Sequence, residues 1–260
     1  MVEQKRSFQG RRKFNPAQAG AQRKSRDQMR KEEEFSKLEK WVPRTALGRQ
    51  VKAGDVTSIA TVLESGQRIL EAQIVDLLIP DLETDFIFIG QNKGKFGGGK
   101  RSIFRRTQKK SREGNKLIFS VMAVVGNKDG YVGIGVGKAR ETVPAREKAV
   151  RNAKLNIMQI SRGCGSWQCT CGEPHSIPFK MEGREASVQV KFMPAPKGTG
   201  LVIDDEIKKI FRLAGIRDVW CKTRGQSKQK MNFVAAAMEA LMHGTRQRVV
   251  ACNLKYGSTH

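Results

Sequence analysis

Apolar residues become periodic only some way into the chain. Residues 1–26 show no sustained hydrophobic spacing, so this stretch is expected to be a disordered basic arm, free or ordered only by a partner. Residues 27–40 allow a short helix anchored on Met29, Phe35 and Leu38. Ile59, Val62 and Leu63 fit a helix opening after Thr57 or Ser58, and Ile74, Leu77 and Leu78 fit another stopped by Pro80. Residues 117–125 are β-branched and apolar, 126–130 read as a turn, and 131–136 alternate side chains with glycine. Together they predict a β-hairpin in close packing.

Further on, Thr142 is placed to cap a helix with Pro144 in its first turn. Ala145, Ala149, Ala153 and Ile157 follow at four-residue spacing, giving an amphipathic helix that packs on a sheet. Residues 163–178 form a Cys-rich loop, and 187–193 alternate as a strand. Residues 194–200 form a sharp connection. Asp204 or Asp205 opens a helix whose inner face carries Ile207, Ile210, Phe211 and Ala214, with Gly215 ending it. Residues 218–222 predict a short strand, and Asn232 a cap for a last helix carrying Phe233, Val234, Ala237, Met238 and Leu241. The expected organisation is a basic arm at 1–40, a first domain at 65–180, a second at 185–245 and a basic tail at 246–260. The class is α+β, its second half an α/β two-layer unit.

Charge changes the picture. Lys and Arg number 49 against 25 acids, a net charge of +24. So cationic a chain repels itself unless a polyanion neutralises it, and counterion release then drives binding. Nucleic acid is the first candidate and an anionic membrane surface the second. No apolar run is long enough to span a bilayer, and the first residues lack the apolar core of a signal peptide. The charge is also segregated. Residues 55–90 hold seven acids (Asp55, Glu64, Glu71, Asp76, Asp81, Glu83, Asp85) and one base, Arg68, whereas 91–116 hold ten bases and one acid, Glu113. The acidic segment is expected to face solvent or a basic protein neighbour. In the basic one, glycines leave a flexible loop in which Arg and Lys follow an irregular phosphate path.

Three motifs bear on chemistry. Residues 94–100 match the glycine and lysine part of a phosphate loop. However, Arg101 stands where Ser or Thr should hold magnesium, so a phosphate-binding basic loop accounts for them with fewer requirements than nucleotide hydrolysis. Gly133, Gly135 and Gly137 have the wrong spacing for a dinucleotide fingerprint and lie within a strand. Cys164, Cys169, Cys171 and His175 are four soft or borderline ligands within 12 residues. Three thiolates and an imidazole suit a closed, tetrahedral structural zinc site, the alternative being a loop of free thiols beside a surface histidine. With five cysteines and no export signal, reduced thiols or a metal site are favoured over disulfides. Cys221 and Cys252 read as plain small residues. No Ser, His and acid constellation stands out, in keeping with a non-enzyme.

The segment 124–139, Val-Val-Gly-Asn-Lys-Asp-Gly-Tyr-Val-Gly-Ile-Gly-Val-Gly-Lys-Ala, resembles the hairpin signature of the ribosomal small-subunit protein five family. The helix ending at 153–157, the run Pro194-Ala195-Pro196-Lys197-Gly198-Thr199-Gly200, the stretches 213–219 and 223–225, Trp41-Val42-Pro43 and the acidic 74–82 match it in order. The Cys-rich loop beginning Gly163-Cys164-Gly165-Ser166-Trp167 is similar to the archaeal form. The chain departs from the family's compact basic loop at 90–106, a longer run with five glycines.

The resemblance implies an N-terminal domain like double-stranded-RNA-binding folds and a C-terminal α/β domain. It also implies a cytoplasmic, ribosomal location on small-subunit rRNA near the decoding region and the point where mRNA enters, and an influence on translational accuracy. The implied neighbours are small-subunit proteins four and eight, with three as a further one. The expected phosphate contacts are Lys100, Arg101, Arg105, Arg106, Lys109, Lys110, Arg112, Lys128, Lys138, Lys197, Arg224, Lys228 and Lys230. A free RNA-binding module or RNA chaperone would share these basic residues without needing the acidic segment.

Overall fold

A computed structural model describes Ser36, residues 38–92, Gly94 and residues 101–246. The expected arm, most of the 27–40 helix, the 95–100 loop with Lys100, and the basic tail with Cys252 lie outside the described residues. Residues up to Val42 form one unit and Pro43 onward another. The elements below all belong to the second.

Three short helices come first: α1 (Ala46–Ala53), α2 (Ile59–Glu64) and α3 (Ala72–Leu78). The hydroxyl of Ser58 accepts the Ala60 N–H and so fixes the start of α2. Ile74 and Val75 bury α3, while Leu77 stays exposed.

The first sheet contains β1 (Glu83–Ile87), β2 (Arg105–Ser111), β3 (Gly114–Gly126), β4 (Tyr131–Ala139) and β5 (Ile157–Gln159). Its order is β1-β3-β4-β5, with β2 also on β3. The long β3 uses one edge twice. Residues 105–111 pair with 114–120, and 83–87 with 122–126. On its other edge β4 reaches only residues 119–126. The β2–β3 hairpin therefore runs on past β4 as a two-stranded ribbon.

Helix α4 (Thr142–Leu155) packs on this sheet through Ala145, Ala149 and Ala153, which meet Val121, Ala123 and Val125. The intervening Met122 and Val124 face the opposite way, into a second core shared with Ile207, Ile210 and Phe211. Burial on both faces is why 121–125 reads as a continuous apolar run rather than an alternation. The glycines of β4 are there for close approach. A Cβ on Gly135 would lie 2.1 Å from the Ala153 nitrogen and 2.4 Å from the Ala149 oxygen. Gly135→Ala should therefore push α4 off the sheet at a cost of about 3 kcal/mol, read as a lower urea midpoint.

The second sheet contains β6 (Met181–Glu185), β7 (Val188–Pro194), β8 (Leu201–Val202) and β9 (Val219–Arg224), in the order β6-β7-β9-β8. Helices α5 (Asp205–Ala214) and α6 (Lys230–Arg246) complete the chain's described elements. Their apolar faces bury Phe211, Phe233, Val234 and Leu241 against Val190 and Phe192. The Asp204 carboxylate accepts the Glu206 N–H at the start of α5, and Gly215 ends it at φ 79°. The β3–β4 turn is tied to the C-terminal end of α5: Lys128 N–H donates to the Leu213 carbonyl at 2.8 Å and Gly130 N–H to that of Ala214 at 3.1 Å.

The α+β class holds, with local corrections. The basic stretch expected as a flexible loop is a strand from Arg105. Helix α1 and strands β1, β5, β6 and β8 are not expected from the sequence, and Ile157, expected on the helix face with Ala153, opens β5 instead. Thr142 lies inside α4, whose capping position is Glu141 with no side-chain cap bond. Helix α6 begins at Lys230, so Asn232 is within its first turn.

The acidic segment also differs from expectation, because much of it answers the chain's own groups. Glu71 accepts the N–H groups of Arg44 and Thr45 at 2.9 and 2.7 Å. Asp76 pairs with Lys154 at 2.5 Å, and Glu83 pairs with Lys128. Asp55, Glu64 and Asp81 do remain exposed.

Candidate metal centre and nucleic-acid interface

The Cys-rich loop leaves β5 and returns to β6, pinched at its base. Gly163 and Ser176 exchange backbone hydrogen bonds at 2.8 and 2.9 Å. A turn at Trp167-Gln168 and the left-handed Gly172 fold the loop back, and the ligand atoms of Cys164, Cys169, Cys171 and His175 all lie within 4.8 Å of one another. The Sγ of Cys169 is 3.2 Å from that of Cys171 and 3.6 Å from His175 Nε2, and the Sγ atoms of Cys171 and Cys164 are 3.7 Å apart.

His175 is buried, and its Nδ1 stands 2.8 Å from Asp218 Oδ2, also buried. A carboxylate only accepts, so Nδ1 carries the proton and Nε2 presents its lone pair to the thiols. This is the carboxylate–histidine arrangement that orients a metal-binding imidazole. Asp218 is fixed in turn, since its Oδ1 accepts the N–H groups of Gly198 and Gly200 at 3.2 and 2.7 Å. Ser176 Oγ donates to the Asp218 carbonyl at 2.5 Å.

Two of the thiols differ in acidity. The Lys197 backbone N–H, with that of Cys171, stabilises the Cys169 thiolate and brings its pKa down to about 6. Burial, with hydrogen bonds to the other two cysteines, pushes Cys164 up to about 12. Three convergent sulfurs and an oriented imidazole fit a metal ion in a closed set of ligands. The partly buried Cys221 packs on the core, and burial raises its thiol to about 11.

The expected phosphate contacts fall into groups. Arg105, Arg106, Lys109 and Lys110 line β2, where both faces of the ribbon are exposed, and Arg112 sits at its tip. None of these five has a carboxylate partner among the described residues, whereas Lys116 pairs with Glu113 at 3.2 Å. Register places Arg105, Ser120 and Lys138 in one row across three strands.

Distant segments join them. Arg101 donates to the Lys228 carbonyl at 3.2 Å, and Arg105 reaches Met231 Sδ at 3.8 Å. Arg101, Arg105, Lys138 and Lys228 thus form one patch at the root of the ribbon.

Lys128, Lys197 and Lys230 are held differently, by Glu83, by Glu173 at 2.8 Å and by Asp204 at 2.6 Å. Arg224 stands apart on β9. Sequence reasoning missed a further basic cleft beside His175, lined by Arg162, Lys208, Arg212 and Arg217 together with Lys128. It also missed Asp218, whose role no local spacing signals. Arg146 is spent structurally, its guanidinium stacked 4.8 Å from the Phe104 ring centroid. Among the described residues, no helix is long and apolar enough to cross a membrane.

Comparison with known proteins bears on the whole of this arrangement. Residues 103–161 match the family model of ribosomal protein S5, N-terminal domain, and residues 183–251 that of ribosomal protein S5, C-terminal domain. The protein of Nanoarchaeum equitans named small ribosomal subunit protein uS5 is 50% identical over 219 residues, 84% of this chain and 94% of the relative. Proteins of the same name from Methanothermobacter thermautotrophicus and Staphylothermus marinus are 46% and 48% identical, over 84% and 78% of the chain and 94% and 88% of their own lengths. The chain therefore belongs to the ribosomal protein S5 family, in its archaeal form.

Proposed function

We propose that the chain is a structural constituent of the small ribosomal subunit and holds rRNA chiefly through the β2–β3 ribbon and the basic patch at its root. The observation that carries this reading is the ribbon itself: five bases with both faces open and no acid among the described residues to neutralise them, on a chain of net charge +24. A projecting ribbon of Arg and Lys suits irregular RNA, which is recognised by shape and by phosphate and 2′-hydroxyl contacts. The role is structural rather than catalytic. A seat near the decoding region and the incoming mRNA, an effect on accuracy, and contacts with small-subunit proteins four, eight and three extend this reading. The acidic residues that stay exposed, Asp55, Glu64 and Asp81, are the surface for a basic protein neighbour.

Within that role the Cys164, Cys169, Cys171 and His175 set holds zinc. When bound, the ion crosslinks a loop that has little core of its own. The loop's neighbours, Lys197 and the 198–200 turn on Asp218, are thereby fixed in place.

The test is titration of the purified full-length chain onto small-subunit rRNA at several salt concentrations. Tight binding that weakens steeply with salt is the expected result. Salt-independent binding, or none at low ionic strength, would count against this function.

A further inference from the structure

The second sheet has one face against α5 and α6 and one face bare. Burial shows which side chains go where. Val188, Val190 and Phe192 of β7 are fully buried and Cys221 of β9 packs on the core, so these residues point inward. Alternation sends Gln189, Lys191 and Met193 outward on β7, and Trp220, Lys222 and Arg224 outward on β9. Neither Met193 nor Trp220 joins the core cluster, and Trp220 is only partly buried. On β6, Met181 is buried and Gly183 lies against α6, which leaves Glu182 and Arg184 on the bare face.

Register aligns these residues into rows. Arg184 stands beside Gln189 and Gln189 beside Arg224, while Glu182 stands beside Lys191 and Lys191 beside Lys222. Met193 stands beside Trp220, and Trp220 beside the exposed Val202 of β8. Among the described residues the acid of this face is Glu182, and it is already shared by Lys180 and Lys191 at 2.6 and 3.1 Å. Lys222 and Arg224 are exposed and have no carboxylate partner among the described residues.

We infer that this bare face is a platform for single-stranded RNA, separate from the ribbon, with Trp220 stacking on a base and Lys222 and Arg224 holding phosphates. The inference rests on the nucleic-acid reading above but names another surface. Its charge complements a polyanion rather than a basic protein, whose partner face would need acids beyond the one that is taken. A flat sheet with an aromatic among bases suits splayed nucleotides, whereas a duplex hides its base edges in a deep groove.

The full-length chain should be titrated with a labelled single-stranded twelve-uridine RNA and with a matched RNA duplex. The double variant Lys222→Ala, Arg224→Ala should bind the single strand about ten-fold more weakly, with a salt slope shallower by about 1.4, as two phosphates go without a cation. Trp220→Leu should lose about ten-fold with the slope unchanged, because stacking releases no counterions. The ribbon variant Lys109→Ala, Lys110→Ala, Arg112→Ala should weaken binding of the duplex more than binding of the single strand, the reverse of the sheet variants. Circular dichroism and melting of each variant confirm folding.

Wild-type affinity for the single strand in the sheet variants would overturn the platform, as would a loss confined to the ribbon variant. So would a photocrosslinker attached through Lys222→Cys that captures only protein in assembled subunits. The ribosomal reading fails separately, if the chain binds the single strand but never joins the small subunit.

Discussion

Replacing Arg105, Arg106, Lys109, Lys110 and Arg112 with alanine should weaken binding to small-subunit rRNA about a thousand-fold at physiological salt, roughly 4 kcal/mol. The magnitude follows from the absence of internal partners: no described carboxylate neutralises any of the five, so their charge is available to phosphate. The slope of log affinity against log salt should become shallower by about 4, at roughly 0.7 to 0.9 for each phosphate no longer neutralised. Stability should hardly move. The ribbon's side chains are exposed, and surface substitutions of this kind stay within about 0.5 kcal/mol each. Removing Lys128, Lys197 and Lys230 instead should do much less to RNA binding, because Glu83, Glu173 and Asp204 already hold them. Equal losses from the two sets would mean that charge acts without regard to place.

Metal removal should have the second large effect. Metal analysis of the purified chain should find about one zinc per molecule, since four ligands make one closed site. Stripping it with a strong chelator should lower stability by about 4 kcal/mol, taking an ion held at a thousand times its dissociation constant. For a chain of this size that is a fall of ~10 °C in melting temperature. Cys169→Ser should reproduce the fall without chelator. Asp218→Asn should leave four ligands but weaken zinc roughly 10- to 100-fold, because an amide orients the imidazole less firmly and makes it less basic. A cobalt-substituted sample reports the same change as altered thiolate charge-transfer bands. A metal-free chain melting at the same temperature as the loaded one would contradict the zinc assignment.

What could be read from the sequence followed the apolar pattern closely. The β3–β4 hairpin, the alanine stripe of α4 and the Asp204 and Gly215 ends of α5 were all legible. Each depends on residues whose neighbours lie on the same element or the next. The errors have physical causes. Strand β2 is Arg-Arg-Thr-Gln-Lys-Lys-Ser with neither face covered, so it carries no alternation to detect. Strand β6 buries only Met181 and Gly183, and a glycine facing inward looks like a turn. Here a Cβ on Gly183 would lie 2.3 Å from the Ala236 oxygen.

The Cys164, Cys169, Cys171 and His175 cluster was legible because it is local, four soft or borderline donors within one loop. Asp218 was not, since it reaches His175 across 43 residues of chain. The acidic segment misled for a related reason: Asp76 and Glu83 find Lys154 and Lys128 only once the fold brings them together. The root of the ribbon likewise joins Arg101 and Arg105 to a segment more than a hundred residues away.

The role proposed for the ribbon and the patch at its root depends on the chain residing on the small subunit. Sucrose-gradient fractionation of a cell extract at physiological salt, probed for this chain, decides it most directly. A single peak is predicted with the small subunit and with ribosomes that contain it, lost when the gradient is run at high salt. A chain found at the top of the gradient, free of subunits at physiological salt, would contradict that placement.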